Sequence, residues 1–408
     1  MKRILLVILI AAMLLVAGCT TPAPVSNPVT TPASPVSAAA TVAATTVATP
    51  AFPDLVGSWN GSSSGYLKET GTPYSRFNDT LTMNVSSQDG RLFLGEIMFL
   101  LQNGTVERKP FAGALGNDGK TIATIEYPGG FCDGVLLSPD SIELVFRDQE
   151  MPSTISVDIL HRAKTPPPLS ASVVPAMPVL AGTWNGTSLG YEQTKTGYRF
   201  FNLTLIMKVT GQDGRFFSGE IAFRSVNGSL VKKEFAGVLS ADGTMIESIE
   251  YPSGFCDGVI VSADEIELIF RDESSPSMVT IDTFRRSGAS VSPVDRTAPG
   301  LLGNWTGISS GYSGNILGYT PIKGPMTIRI TEQTDRFFRG VVSYSLNGTA
   351  VTKEMTGVVS RDGTTLRTIE TPSGFSDGAS LSADEIHLLY RNDMGPSEIA
   401  IDSFTRAH

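Results

Sequence analysis

From Phe52 onward the chain is built of short runs in which apolar and polar residues alternate. In Leu81-Thr82-Met83-Asn84-Val85, Ile142-Glu143-Leu144-Val145-Phe146 and Ile155-Ser156-Val157-Asp158 the apolar positions follow the two-residue period of a strand with one wet face. Turn residues punctuate the runs at Gln88-Asp89-Gly90, Asn103-Gly104, Asn117-Asp118-Gly119, Pro128-Gly129-Gly130 and Ser138-Pro139-Asp140. Between residues 54 and 163 this pattern predicts eight strands, near 55–66, 76–87, 91–101, 106–115, 121–127, 131–138, 141–148 and 154–163. No stretch carries the spacing of a long amphipathic helix. Because almost every link is a short turn, each strand is expected to pair antiparallel with the next. A twisted meander of eight strands loses both exposed edges by closing on itself, so an all-β, up-and-down barrel is the expected architecture, with a two-sheet β-sandwich as the alternative.

The pattern occurs three times. Trp59, Trp184 and Trp305 are the three tryptophans of the chain, each in a Gly-x-Trp. Downstream of each, Gly-Tyr, Arg-Leu/Phe-Phe, Asn-Gly and Gly-Phe-Cys/Ser-Asp-Gly follow in the same order, and each copy ends with an Asp four residues before an Arg. The Pro- and Ser-rich segments 164–177 and 287–298 read as linkers, which places the repeats at 54–163, 178–286 and 299–408 and predicts three units that fold independently.

The N-terminus differs. Lys2 and Arg3 precede an apolar run from Ile4 to Val16, shorter than a membrane span, and the run ends in Val16-Ala17-Gly18-Cys19. This ending resembles the lipobox of prokaryotic lipoproteins. The resemblance implies a signal peptide over 1–18, lipid on the Cys19 thiol, and a mature protein exported and anchored to the membrane. Residues 19–53 carry no charged side chain and are mostly Thr, Ala, Pro, Val and Ser, a composition that builds no core and serves as an extended tether, disordered and reaching up to roughly 100 Å.

Within the repeats, the Gly-x-Trp on the first strand, the eight-strand meander and the Arg near the end of the last strand are similar to the calycin superfamily of lipocalins and avidins. That resemblance implies that Trp59 packs with Arg162, Trp184 with Arg286 and Trp305 with Arg406 at one end of each barrel. Avidin-like chains line their ligand with several tryptophans, whereas each copy here has one, so biotin binding is not implied.

Composition narrows the chemistry. With three His at unrelated repeat positions and no Gly-rich phosphate loop, no catalytic residue, metal site or cofactor is expected, and a net charge of −9 gives no footprint for nucleic acid. A hydrolase built on carboxylates such as Glu126 and Asp133 would need two carboxyls facing across a cleft in every copy.

Free variation at Ala123, Glu247 and Arg367 marks one face of the fifth strand as wet, which turns Glu126, Glu250 and Glu370 inward. Across the preceding turn they meet Lys109, Lys233 and Lys353, either as ion pairs that satisfy their own charges or as polar recognition groups in a small ligand cavity.

Asn60, Asn78, Asn84, Asn103, Asn185, Asn202, Asn227, Asn304 and Asn347 stand in Asn-x-Ser/Thr, the acceptor pattern for glycans, although the Asn-Gly sites also serve as turns. Together with the lipobox they point to an archaeal cell surface, with a bacterial one as the alternative.

Alternation from Phe131 to Leu137 puts Phe131, Val135 and Leu137 on one face, and the change of Leu136 and Ile260 to Ser380 suggests that the other face is outside. Cys132 and Cys256 are then expected to be exposed, and could form a disulfide if the first two barrels meet across a pseudo-two-fold axis. The alternative is a pair of partly buried small residues. The expectation for the whole is a lipid-anchored cell-surface protein displaying three β-barrel modules for adhesion, envelope structure or multivalent binding to envelope glycans or surface proteins. The alternative is a lipocalin-like protein holding a small ligand in each barrel.

Overall fold

The alternating runs form strands close to where the pattern puts them. In the first repeat these are β1 (Gly57–Lys68), β2 (Ser75–Asp89), β3 (Leu92–Leu100), β4 (Val106–Leu115), β5 (Thr121–Glu126), β6 (Phe131–Ser138), β7 (Ser141–Asp148) and β8 (Ser153–Arg162). β1 pairs antiparallel with both β2 and β8, which closes the meander into a barrel. The second and third repeats close in the same way, with β9–β16 over 182–285 and β17–β24 over 303–406. The computed structural model describes residues 52–163, 176–286 and 297–408, apart from Gln102, Val226, Asn227, Ile316, Asn347, Gly348 and Met394. Cys19, the segment around it and most of both linkers lie outside the described residues.

Each barrel is filled at one end. In the first, Trp59, Met83, Phe93, Phe111 and Leu115 pack inside, and the Phe93 and Phe111 rings meet edge to face at 6.1 Å. Phe93 lies opposite Gly113 in the β3–β4 ladder, and a Cβ on that glycine would fall 2.2 Å from the ring. The pairs Phe217 with Gly237 and Phe338 with Gly357 repeat this fit.

The three barrels are not beads on a string. Phe131, Phe255 and Phe375 point out of their own barrels and stack on one another, with ring centroids 4.8 to 5.1 Å apart, inside a core that draws on all three repeats. The separation suggested by the linkers gives way to contact, because this outward face is apolar and covered by the neighbouring barrels.

The same observation corrects the cysteines. Cys132 and Cys256 are buried, free thiols, each in the interior core of its own barrel, so neither the expected exposure nor the disulfide exists. A two-residue period separates the faces of a strand but does not say which is inside, and here the outer face is buried too.

Candidate functional site

Each barrel has a closed end, and barrel 2 is open at the other. At the closed end, the Trp59 indole N–H donates to the Leu55 carbonyl at 2.9 Å, and the Arg162 guanidinium lies 4.3 Å over the indole. Arg286 over Trp184 and Arg406 over Trp305 repeat this at 4.1 and 4.2 Å. Arg162 also donates to the Val56 carbonyl at 3.0 Å, fastening the entering chain across the barrel end. Gln88 holds the same segment by accepting from the Leu55 N–H and donating to the Pro53 carbonyl. Gln212 and Gln333 do so in the other copies.

Away from the tryptophan end, acidic and basic side chains gather inside each barrel. The β4–β5 ladder sets Phe111 opposite Glu126, which brings the Lys109 Nζ to 3.7 Å from the Glu126 carboxylate. Lys233 lies 3.2 Å from Glu250 and Lys353 3.3 Å from Glu370. Burial pushes Glu126 up to about 7 against the pull of Lys109, and it raises Glu250 and Glu370 as well. Burial also works against the lysine charges, but the neighbouring carboxyls outweigh it for Lys109 and Lys233, whose pKa values rise. In these two pairs the carboxyl bears the cost of leaving water.

Beside each pair stands an aspartate that sequence reasoning did not single out as a site residue. Asp158 accepts from the Ser156 hydroxyl, Asp282 from Thr280, and Asp402 has Ser309 beside it. Burial pushes Asp158 to about 6 and both Asp282 and Asp402 to about 7, with the hydroxyls of Ser63, Ser188 and Ser309 pulling the other way. The signal was present in the sequence as an Asp recurring on the inward alternation of the last strand.

In barrel 2 the mouth opens into a cavity of about 290 Å³. Phe201, Leu205, Ile221, Phe223 and Met278 line its walls, and Lys233, Glu250, Asp272 and Asp282 supply its polar groups. The volume is at the small end of ligand sites.

A second cluster sits where the barrels meet. Arg147, Arg271 and Arg391 are fully buried, each between the aspartate of its own barrel and that of the next. Arg147 contacts Asp133 and reaches Asp257 at 2.7 Å. Arg271 contacts Asp257 and reaches Asp377 at 2.7 Å, and Arg391 contacts Asp377 and reaches Asp133 at 2.8 Å, which closes a ring. Each guanidinium also lies 4.6 to 5.2 Å over two of the central Phe rings.

The positions read as wet in the sequence, Ala123, Glu247 and Arg367, face this junction, where Glu247 lies 3.4 Å from Arg147 and Arg367 lies 2.9 Å from Asp377. The arginines hold Asp257 and Asp377 far below the ordinary carboxylate range despite burial. Asp133, Glu247 and Asp257 bring carboxylate oxygens within 4.8 Å of one another. Asp133, Asp257, Asp377 and Glu247 are matched by Arg147, Arg271, Arg391 and Arg367, so the charges of the cluster balance within it.

The acceptor-pattern residues Asn60, Asn78, Asn84, Asn103, Asn185, Asn202 and Asn304 are exposed, while Asn227 and Asn347 lie outside the described residues. His387 is half-buried at the contact of barrels 3 and 1, where it meets Glu385 at 2.9 Å and Asn117 at 2.6 Å. The corresponding contacts at the other two junctions are ion pairs, Arg215 with Glu143 and Arg336 with Glu267.

No family model matches the chain, and no curated protein matches its sequence. Solved structures match the chain at low identity and low TM-score. A protein of unknown function from Nostoc punctiforme is 14% identical, with 56% of this chain and 96% of that one covered and a TM-score of 0.27. A redesigned β-barrel is 12% identical over 29% of this chain and 99% of its own, with a TM-score of 0.23. Transferrin binding protein B from serogroup B Neisseria meningitidis is 10% identical over 86% of this chain and 76% of its own, with a TM-score of 0.21.

Proposed function

We propose that the protein is an exported lipoprotein, held to the membrane through lipid on Cys19, whose three fused barrels form a binding head at the cell surface rather than an enzyme. The lipobox-like Val16-Ala17-Gly18-Cys19 and the uncharged segment behind it support anchoring and reach. The exposed Asn-x-Ser/Thr sites on the head suit a glycosylated surface protein. The observation that carries a binding role is the barrel 2 cavity, open at the mouth, apolar on its walls and polar at a few points, as ligand sites are. It also favours a second, compatible reading, in which the barrel captures a small molecule as calycins do.

Fractionation of cells producing the wild type and Cys19→Ser tests the anchor. The wild type should sediment with membranes and be released by detergent, and the Ser variant should be exported yet recovered in the soluble fraction. Membrane retention of the Ser variant at the wild-type level rejects the lipid anchor.

A further inference from the structure

We propose that the cavity of barrel 2 binds a small organic cation with an apolar body, an aryl or alkyl amine. The proposal rests on the small-molecule reading of the barrel and adds the charge and shape of the ligand. Among the residues that line the cavity, the charged ones are Glu192, Lys233, Glu250, Asp272 and Asp282. Glu192, at the rim, is paired with Arg199. That leaves three carboxyls against one ammonium inside the cavity.

The ammonium of Lys233 is already engaged. Its Nζ donates to the Ser253 carbonyl at 2.9 Å and lies 3.2 Å from Glu250 and 3.9 Å from Asp272. It also sits 4.8 Å over the Phe270 ring. An incoming anion would find no free cation and would face three acidic groups.

A cation finds the opposite. Asp282 accepts from the hydroxyls of Thr280 and Ser188, and among the described residues no cation lies within salt-bridge distance of it. Asp272 is held by the Ser253 hydroxyl at 2.7 Å and the Ser274 N–H at 2.9 Å, which fix its position without neutralising it. An ammonium placed between Asp282 and the Glu250 side of the cavity would favour the ionised carboxylates that burial alone disfavours. Its apolar body would lie against Leu205, Ile221 and Phe223. In barrel 3 the counterpart of Asp272 is Asn392, that of Phe270 is Tyr390, whose hydroxyl accepts from Lys353 at 2.9 Å, and that of Met278 is Glu398, so the carboxyls and the apolar wall are arranged differently there.

Isothermal titration of the full-length protein in detergent tests this with 2-phenylethylamine, 2-phenylethanol and 3-phenylpropionate, which share an aromatic body and differ in head-group charge. The amine should bind at least tenfold more tightly than the alcohol, and the acid should bind more weakly than both. The double variant Asp282→Asn/Glu250→Gln should weaken the amine at least tenfold and leave the alcohol unchanged, the latter showing that the cavity is still formed. Equal binding of amine and alcohol, or an amine affinity untouched by the double variant, overturns the cation proposal while the small-molecule reading stands. Failure of all three probes to bind overturns both, and the Cys19→Ser fractionation remains a separate test of anchoring.

Discussion

Asp402 shows how a single buried acid records its surroundings. It is 2% exposed, its Oδ1 has no hydrogen-bond partner among the described residues, and burial pushes its pKa from the ordinary 3.8 up to about 7. Between those values the folded chain keeps a proton that the unfolded chain releases. The stability tied to that proton is therefore fully present below about pH 4 and is lost as pH rises through about 7. Asp402→Asn keeps the shape and removes the titration, so denaturant unfolding should show the variant gaining about 2–3 kcal/mol over the wild type at pH 8 relative to their difference at pH 5. A difference that does not change between the two pH values would mean that Asp402 is charged in the folded state throughout. The Lys–Glu pairs were legible at this scale, because a fixed inward position beside a freely varying one identifies a strand face. The burial that sets their pKa values was not, since it depends on strands distant in sequence.

At the scale of strands, register is carried by the fit of aromatic rings over glycines. Phe217 on β11 (Phe216–Arg224) faces Gly237 on β12 (Leu230–Leu239), and a Cβ at position 237 would come 2.3 Å from the ring. Gly237→Ala should cost about 1–3 kcal/mol in chemical denaturation, the usual penalty for overfilling a packed core. Adding Phe217→Leu should recover part of that loss, since residues in contact couple. If the two losses simply add, steric conflict between ring and Cβ is not the cause. Strand limits were readable from alternation and turn residues to within about two positions. The inside of a strand was less so, as Phe131 and Cys132 demonstrate: their period was evident, but the apolar ring lies between barrels and the thiol within one.

For the whole molecule, the decisive feature is the ring of arginines and aspartates around three stacked phenylalanines. Removing one member strands buried charges, so Arg271→Ala should destabilise the head by about 3–5 kcal/mol. Calorimetry of the wild type should show one cooperative transition for the three barrels, because a shared core cannot be lost by one barrel without exposing the others. Three separate transitions, with only one of them shifted by Arg271→Ala, would refute the shared core.

The sequence by itself determined the strands, the three-fold repetition and the Lys–Glu partners, and favoured a closed barrel over a sandwich, because these follow from local alternation, turn chemistry and short-range antiparallel pairing. Trp–Arg packing came through resemblance to calycins, and the structure places those side chains over one another. Tertiary structure alone decided that the barrels share a core, that Phe131, Phe255 and Phe375 meet, and that each arginine reaches into the next barrel. Residues more than a hundred positions apart carry those contacts, and within one repeat a surface that is apolar for a neighbour looks the same as one that is apolar for its own interior. The barrel 2 cavity belongs to this second class too, since its volume is what remains after side chains from eight strands have packed, and no single strand encodes a space.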